Sequence, residues 1–408
     1  MFNTGKNYWL YIASHVYCRI QEGRALLYNT QSGTCIECAS GEIIVLLQSL
    51  HEKKNLGAVC FEGKKLAEEP YRSFLAEFCE KNMGGLAEVE QDKPIQLMPI
   101  LNLQRDVEKL QKDRERSSGE NVLQYLQELN IYVNDTCDVQ CPLCTTCFRQ
   151  GLCCTSNRKQ SHSLSKSTLQ KILTQIQYAP VGKLNIFGGN ISEYAYFKEL
   201  ETLLQPFKEY THLWVHYANA GNAERLLSGF KYDVPVTPPI DETWLCTCLN
   251  RLNGEQTTWH FFITGEEDYQ QTEQMLEKYA IPNYVWRPVY TQANRTFFEE
   301  QVYMTRDDIF SKPLSFRQIF AHQKLNTHFF GSLTVLANGD VYANVNSAKL
   351  GNVRTDSILN LINKEMSENT AWRRTRDKAP CTDCLYQYLC PSPSNYERVI
   401  GQPDLCRI

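Results

Sequence analysis

Cys137, Cys141 and Cys144 stand in a C-x3-C-x2-C spacing, and Cys381, Cys384 and Cys390 in C-x2-C-x5-C, with Cys406 beyond them. Three thiolates on one short loop can hold three irons of a four-iron, four-sulfur cube and leave the fourth iron open to a ligand. Four thiolates can close such a cube. Tetrahedral zinc takes the same residue types, with Cys147 as a fourth ligand for the first group and all four C-terminal cysteines for the second. Cys153 and Cys154 lie just past the first group with no assigned role. Cys246 and Cys248 alternate on what reads as a strand, which puts them on one face and suggests packing. Cys18, Cys60 and Cys79 stand alone among apolar residues and read as small buried hydrophobes.

The elements around the first group are those of an α/β protein. Ile131-Tyr132-Val133 is a strand leading straight into the cysteines, and Lys183–Phe187 is another, ending in Gly188-Gly189. Leu213–His216, Trp259–Ile263 and Tyr284–Trp286 read as further strands. The apolar spacing predicts helices over Leu169–Ile176 and Tyr269–Tyr279 between them. Strands alternating with helices imply parallel pairing in a barrel or open sheet. Upstream, Arg24–Thr30, the turn at Gln31-Ser32-Gly33 and Thr34–Cys38 form a hairpin pattern. Helices follow, one capped by Ser40 and one opened by Pro70. Residues 105–120 are charged and poor in apolar residues. Downstream, Leu333–Leu336 and Val341–Val345 flank the turn Asn338-Gly339-Asp340. The expected organisation is an α+β module over 1–104, a charged linker or helix over 105–128, a core over 129–325 and a cysteine-bearing extension over 326–408.

The stretch from Tyr132 to Cys144, YVNDTCDVQCPLC, resembles the radical SAM signature at the end of the first strand of that family's barrel. Phe187-Gly188-Gly189-Asn190 resembles the family's Gly-Gly-Glu, with Asn190 where the acid stands and Leu143 where an aromatic precedes the third cysteine. The C-terminal cysteines resemble the SPASM extension of radical SAM peptide-modifying enzymes, reduced to the ligands of one auxiliary cluster, with Ser394 at a further cysteine position. Leu26–Thr30, Gly339–Asn346 and Leu389–Glu397 look like the pseudo-radical-SAM proteins of Gly-Gly-leader peptide natural-product systems.

The resemblance implies a partial (β/α) barrel with a SPASM-like extension. It implies a [4Fe–4S] cluster on Cys137, Cys141 and Cys144 that binds S-adenosylmethionine, with Gly188, Gly189 and Asn190 lining the cofactor. It implies one auxiliary [4Fe–4S] cluster on Cys381, Cys384, Cys390 and Cys406. The function it implies is a peptide maturase that modifies a ribosomally made precursor through a 5′-deoxyadenosyl radical. The second reading is a non-catalytic relative that binds the precursor or a partner radical SAM maturase. In either case the N-terminal module, similar in order to winged-helix recognition elements, would take the leader peptide as an added strand.

A formal net charge of −4 over 408 residues supplies no basic field for nucleic acid. Met1–Lys6 lacks the basic and apolar runs of a signal peptide. No stretch reaches the roughly 18 uninterrupted apolar residues of a membrane span. A cytoplasmic, reduced protein is expected.

Overall fold

The computed structural model describes residues 3–97, 122–139, 141–155, 161–222, 226–253 and 255–408. The charged stretch 105–120 lies outside them, as does Gln140 within the first cysteine group.

Two small antiparallel sheets open the chain. One, in the order β5-β1-β6, is built from β1 (Asn7–Ile12), β5 (Ala58–Glu62) and β6 (Gly84–Glu88). The other is β2 (Val16–Gln21), β3 (Arg24–Asn29) and β4 (Cys35–Cys38) in sequence order. The expected hairpin is β3–β4, registered Leu27 to Ile36. Leu10, Leu27, Leu47 and Phe78 are fully buried in the core shared by these sheets and the helices Gly41–His51 and Tyr71–Glu80.

The second half of the chain forms one nine-stranded sheet. Its strands are β7 (Glu128–Tyr132), β8 (Lys183–Phe187), β9 (Thr211–Trp214), β10 (Lys231–Val236), β11 (Gln256–Ile263), β12 (Tyr284–Pro288), β13 (Ser332–Val335), β14 (Asp340–Tyr342) and β15 (Gly351–Asn352). Their order is β12-β11-β10-β9-β8-β7-β13-β14-β15. β7 to β12 pair in parallel and in succession, so the chain winds in one direction through this part of the sheet. β13 adds in parallel to the other side of β7, so the C-terminal hairpin continues the same sheet.

Period-2 alternation gives this sheet two different faces. Leu129, Ile131, Leu184, Ile186, Leu213 and Val234 are buried with the aliphatic faces of helices such as Lys166–Ile176, whose N-cap Ser165 accepts from the Thr168 N–H. The other face carries Tyr132, Phe187, Trp214 and His260, whose rings stack across the sheet at 4.6, 4.9 and 4.6 Å between centroids. Alongside run buried polar groups. Asn185 donates to Asn130 at 2.7 Å and accepts from Trp214 Nε1 at 2.9 Å. Asp233 joins His212 at 2.6 Å and His260 at 2.7 Å.

Asp233 and His260 tie this inner face to pH. Burial pushes the Asp233 carboxyl up, but the hydrogen bonds from His212 and His260 outweigh it and hold it well below the usual carboxylate range. Burial pushes His260 down, against the pull of Asp233. The unfolded chain therefore takes up a proton at His260 below about pH 6.5 that the fold refuses, and stability falls with pH. Loss of the Asp233 contribution has the same sign and sets in only at lower pH. The melting temperature is expected to drop between about pH 7 and about pH 5, and His260→Gln to flatten that drop. An unchanged pH slope in the variant would remove His260 as its source.

Two cysteine expectations fail. Cys246 and Cys248 lie on the helix Glu242–Arg251, capped by Asp241, and not on a strand. Two residues apart on a helix they face different ways, and only Cys248 is buried, beside Leu245. Cys60 and Cys79 are exposed, whereas Cys18, half-buried, packs against the core of the N-terminal sheets as expected. Cys60 sits on the solvent side of β5, and Cys79 follows Phe78 off the apolar face set by Phe74, Leu75 and Phe78.

Candidate functional site

Four consecutive strands deliver their C-terminal ends to one place. The first cysteine loop follows β7, Gly188-Gly189-Asn190 follows β8, His216 and Asn219 follow β9, and Thr237 follows β10. This edge is where α/β folds place their chemistry.

The two glycines are required by close approach. A Cβ on Gly188 would come within 2.1 Å of Asn134 Oδ1, and one on Gly189 within 2.3 Å of the Thr136 carbonyl. The room they make is taken by this chain's own loop, which runs on into Cys137. Asn190 N donates to Thr136 O at 2.6 Å. The Asn190 side chain accepts from Ser192 N at 3.2 Å and donates to Glu193 at 2.8 Å, capping the short turn Ile191–Glu193.

Two residues that the sequence did not single out touch the cysteines. His216 Nε2 lies 3.3 Å from Cys141 Sγ and 3.0 Å from Thr237 Oγ1, while its Nδ1 accepts from Ala218 N at 3.3 Å. That acceptor role assigns the proton to Nε2, aimed at the sulfur and the hydroxyl. Burial pushes His216 down to about 4, so it stays neutral. Asn219 Nδ2 lies 3.5 Å from Cys137 Sγ and 3.2 Å from the Gly189 carbonyl. The signal for His216 was the polar–apolar alternation of His212-Leu213-Trp214-Val215-His216 on a buried strand.

Burial pushes the Cys141 thiol up to about 12 and raises Cys137 as well, the latter against the Asn219 hydrogen bond. Such thiols deprotonate when a metal's charge compensates them, and N–H donors to the sulfurs then stabilise the thiolates. Three thiols with donors from His216 and Asn219 therefore suit a cluster. Cys147, Cys153 and Cys154 pack separately with Phe262 and Val289. The sulfurs of Cys153 and Cys154 face each other at 4.0 Å. Cys154 also influences Cys137 and Cys141 electrostatically. Two four-iron clusters would bring about eight irons, and Cys154→Ala is expected to leave that count unchanged after anaerobic reconstitution. Loss of iron would make Cys154 a fourth corner.

The C-terminal group is held by two neighbours. Arg19 on β2 donates to the carbonyls of Cys384 and Thr382, each at 3.0 Å, and Met304 forms a bridge to Cys406. Tyr17, Leu26 and Tyr28 share a core with Leu385, Leu389 and Cys390, so the N-terminal module packs on the cysteine loop. Burial pushes Cys390 up to about 12, and the charges of Cys384, Cys406 and Cys381 add to it, which sets the four thiols in one neighbourhood. Arg376 supplies a cation there, 3.9 Å from Cys381 Sγ and 2.9 Å from Glu397. Ser394 spends its hydroxyl on Glu397 and caps the helix Asn395–Ile400. Four thiols in one neighbourhood, two of them, Cys381 and Cys390, under the charge of a buried guanidinium, suit an anionic cluster. Among the described residues no three Cys, His, Asp or Glu side chains close on the geometry of a single metal ion, and no helix is long and apolar enough to cross a membrane.

The family model for SPASM, an iron–sulfur cluster-binding domain, matches residues 327–385, which include Cys381 and Cys384. The crystal structure of Streptococcus suis SuiB bound to S-adenosylmethionine matches with a TM-score of 0.50 at 12% identity, over 98% of this chain and 99% of that chain. Native anSMEcpe with bound AdoMet and Cp18Cys peptide matches with a TM-score of 0.43 at 11% identity, over 65% of this chain and 87% of that one. No curated protein matches the chain in sequence. The chain is thus an α/β protein whose partial parallel-sheet core resembles radical SAM enzymes and whose C-terminal segment carries a SPASM iron–sulfur cluster-binding domain.

Proposed function

We propose that this protein is a radical SAM peptide maturase acting on a ribosomally made precursor. The observation that carries the reading is the set Cys137, Cys141 and Cys144 at the C-terminal edge of the parallel sheet, with N–H donors from His216 and Asn219 already on two of the sulfurs. When bound there, a reduced four-iron cluster supplies the electron that cleaves S-adenosylmethionine. Around it, Cys137, Cys141 and Cys144 hold the metal, His216 and Asn219 orient the thiolates, and Gly188, Gly189 and Asn190 form the wall on the cofactor's side. Cys381, Cys384, Cys390 and Cys406 hold one auxiliary cluster. A cavity of about 320 Å³ on the inner face of the sheet, lined by Asn130, Tyr132, Phe148 and Asn344 among others, receives the peptide. Its rings match apolar side chains. The N-terminal module binds the leader.

A second reading rests on a specific observation: the space at Gly188 and Gly189 is filled by Asn134 and Thr136, and the Asn190 side chain is engaged in a cap. On that reading the chain is a non-catalytic relative that carries the precursor or supports a partner maturase. Dithionite-reduced, reconstituted protein separates the two. Conversion of S-adenosylmethionine to 5′-deoxyadenosine supports the maturase, and none, by the parent or by Asn190→Glu, supports the carrier.

A further inference from the structure

Arg287 on β12 lines the cavity between β7, β11, β12, β13 and the helix Asn395–Ile400. Its Nε–H donates to His260 Nδ1 at 3.2 Å, and the other ring nitrogen of His260 donates to Asp233 at 2.7 Å. This relay orients the guanidinium and leaves its two terminal nitrogens as a fork, the geometry that a carboxylate fills with two parallel hydrogen bonds. Among the described residues no carboxylate pairs with Arg287 directly; besides His260 its charge acts on Tyr396, on the same cavity wall. Asp233 is reached only through His260. The acid on the cavity wall, Glu128, accepts from Asn185 at 2.8 Å, and burial pushes its carboxyl pKa up. A half-buried cation facing a cavity without a direct counter-charge carries a desolvation cost that an anionic ligand offsets.

We propose that Arg287 receives a substrate carboxylate, carried by an acidic side chain of the bound peptide, so that the cavity selects Glu or Asp near the modified position. This rests on the peptide reading above. Around that contact, Tyr132 and Phe148 form the apolar side, while the Asn130 and Asn344 amides are spent on Ser332, Thr334 and Asn395 and hold the wall in place.

The test is calorimetric binding of three blocked tripeptides to the full-length, cluster-reconstituted protein: acetyl-Gly-Glu-Gly-amide, acetyl-Gly-Gln-Gly-amide, and acetyl-Gly-Gln-Gly with a free C-terminus. The Glu peptide is expected to bind at least about tenfold tighter than its Gln amide counterpart, as a charge-assisted pair requires. Arg287→Gln is expected to abolish the preference and Arg287→Lys to keep part of it, with S-adenosylmethionine binding unchanged in both. Equal binding of the Glu and Gln amides overturns the proposal. Tighter binding of the free C-terminus places the carboxylate at a chain end and overturns the side-chain assignment. Loss of S-adenosylmethionine binding in Arg287→Gln, with iron content intact, assigns the residue to the cofactor and also overturns it. If none of the three binds, the peptide reading itself fails and this assignment falls with it.

Discussion

The triple variant Cys137→Ala, Cys141→Ala, Cys144→Ala is expected to hold about half the iron of the reconstituted parent and to release no 5′-deoxyadenosine from S-adenosylmethionine under dithionite. The two readouts report different things. Iron falls because three ligands of one cluster are gone, while the C-terminal thiols, which sit in a separate neighbourhood around Arg376, keep theirs. Turnover falls to background because these three thiols are the ligands proposed for the electron-donating cluster at that edge of the sheet. The fold should survive: all three positions are half-exposed loop or helix-start residues, outside the aliphatic core between sheet and helices. A variant that keeps the full iron count would place the metal on Cys147, Cys153 and Cys154. One that keeps half the iron and still cleaves the cofactor would move the chemistry to the C-terminal cluster.

Asn190 tests the same site from its other side. Its side chain caps a short turn through Ser192 and Glu193. Glu in its place gives up the hydrogen bond to Glu193 and the short side-chain cap, and offers instead a carboxylate for a charge-assisted hydrogen bond to an ammonium group. Tighter S-adenosylmethionine binding by Asn190→Glu would show that the acid's position, and not the local fold, is what this sequence has changed.

Much of the architecture could be read from the residues because the parallel strands alternate so regularly. Leu129-Asn130-Ile131 and Leu184-Asn185-Ile186 carry the same pattern, and in the structure Asn130 and Asn185 face each other across one ladder. β10 was not legible. It carries Pro235, a residue rare inside a sheet, but β9 stops opposite Asp233, so Pro235 lies where the ladder on that side has already ended. The helix Glu242–Arg251 was misread because Leu245-Cys246-Thr247-Cys248 alternates like a strand, while Asp241, whose side chain accepts from Trp244 N, carried the contrary signal of a cap. The cysteine positions were visible as motifs. Their partners His216, Asn219, Arg19 and Arg376 were not, because each comes from a different element and no spacing along the chain connects them.

Arg376 is the partner with the largest structural consequence. Its guanidinium and the Glu397 carboxylate are 10% and 7% exposed, and they meet at 2.9 Å. Nε donates to the Pro391 carbonyl at 2.6 Å, Nη1 lies 3.9 Å from Cys381 Sγ, and the far oxygen of Glu397 accepts from Ser394 N at 2.8 Å. One ion pair thus ties the chain just before Cys381 to the segment after Cys390. Removing one member of a buried pair leaves the other charge desolvated and unanswered, at a cost of about 3–5 kcal/mol. Arg376→Gln is therefore expected to lower the melting temperature by several degrees and to lose the iron of the C-terminal group while the first cluster stays loaded. Glu397→Gln on top of it removes the orphaned charge, so the double variant should be more stable than Arg376→Gln alone; a strictly additive double-mutant cycle would contradict the pairing. Glu397→Gln alone separates charge from packing. It leaves Arg376 as an uncompensated cation beside the thiolates, which favours the more negative reduced cluster, and the midpoint potential of the auxiliary cluster, followed by electron paramagnetic resonance, should rise. If that potential falls or does not move, Arg376 is a staple for the loop and has no electrostatic hold on the cluster.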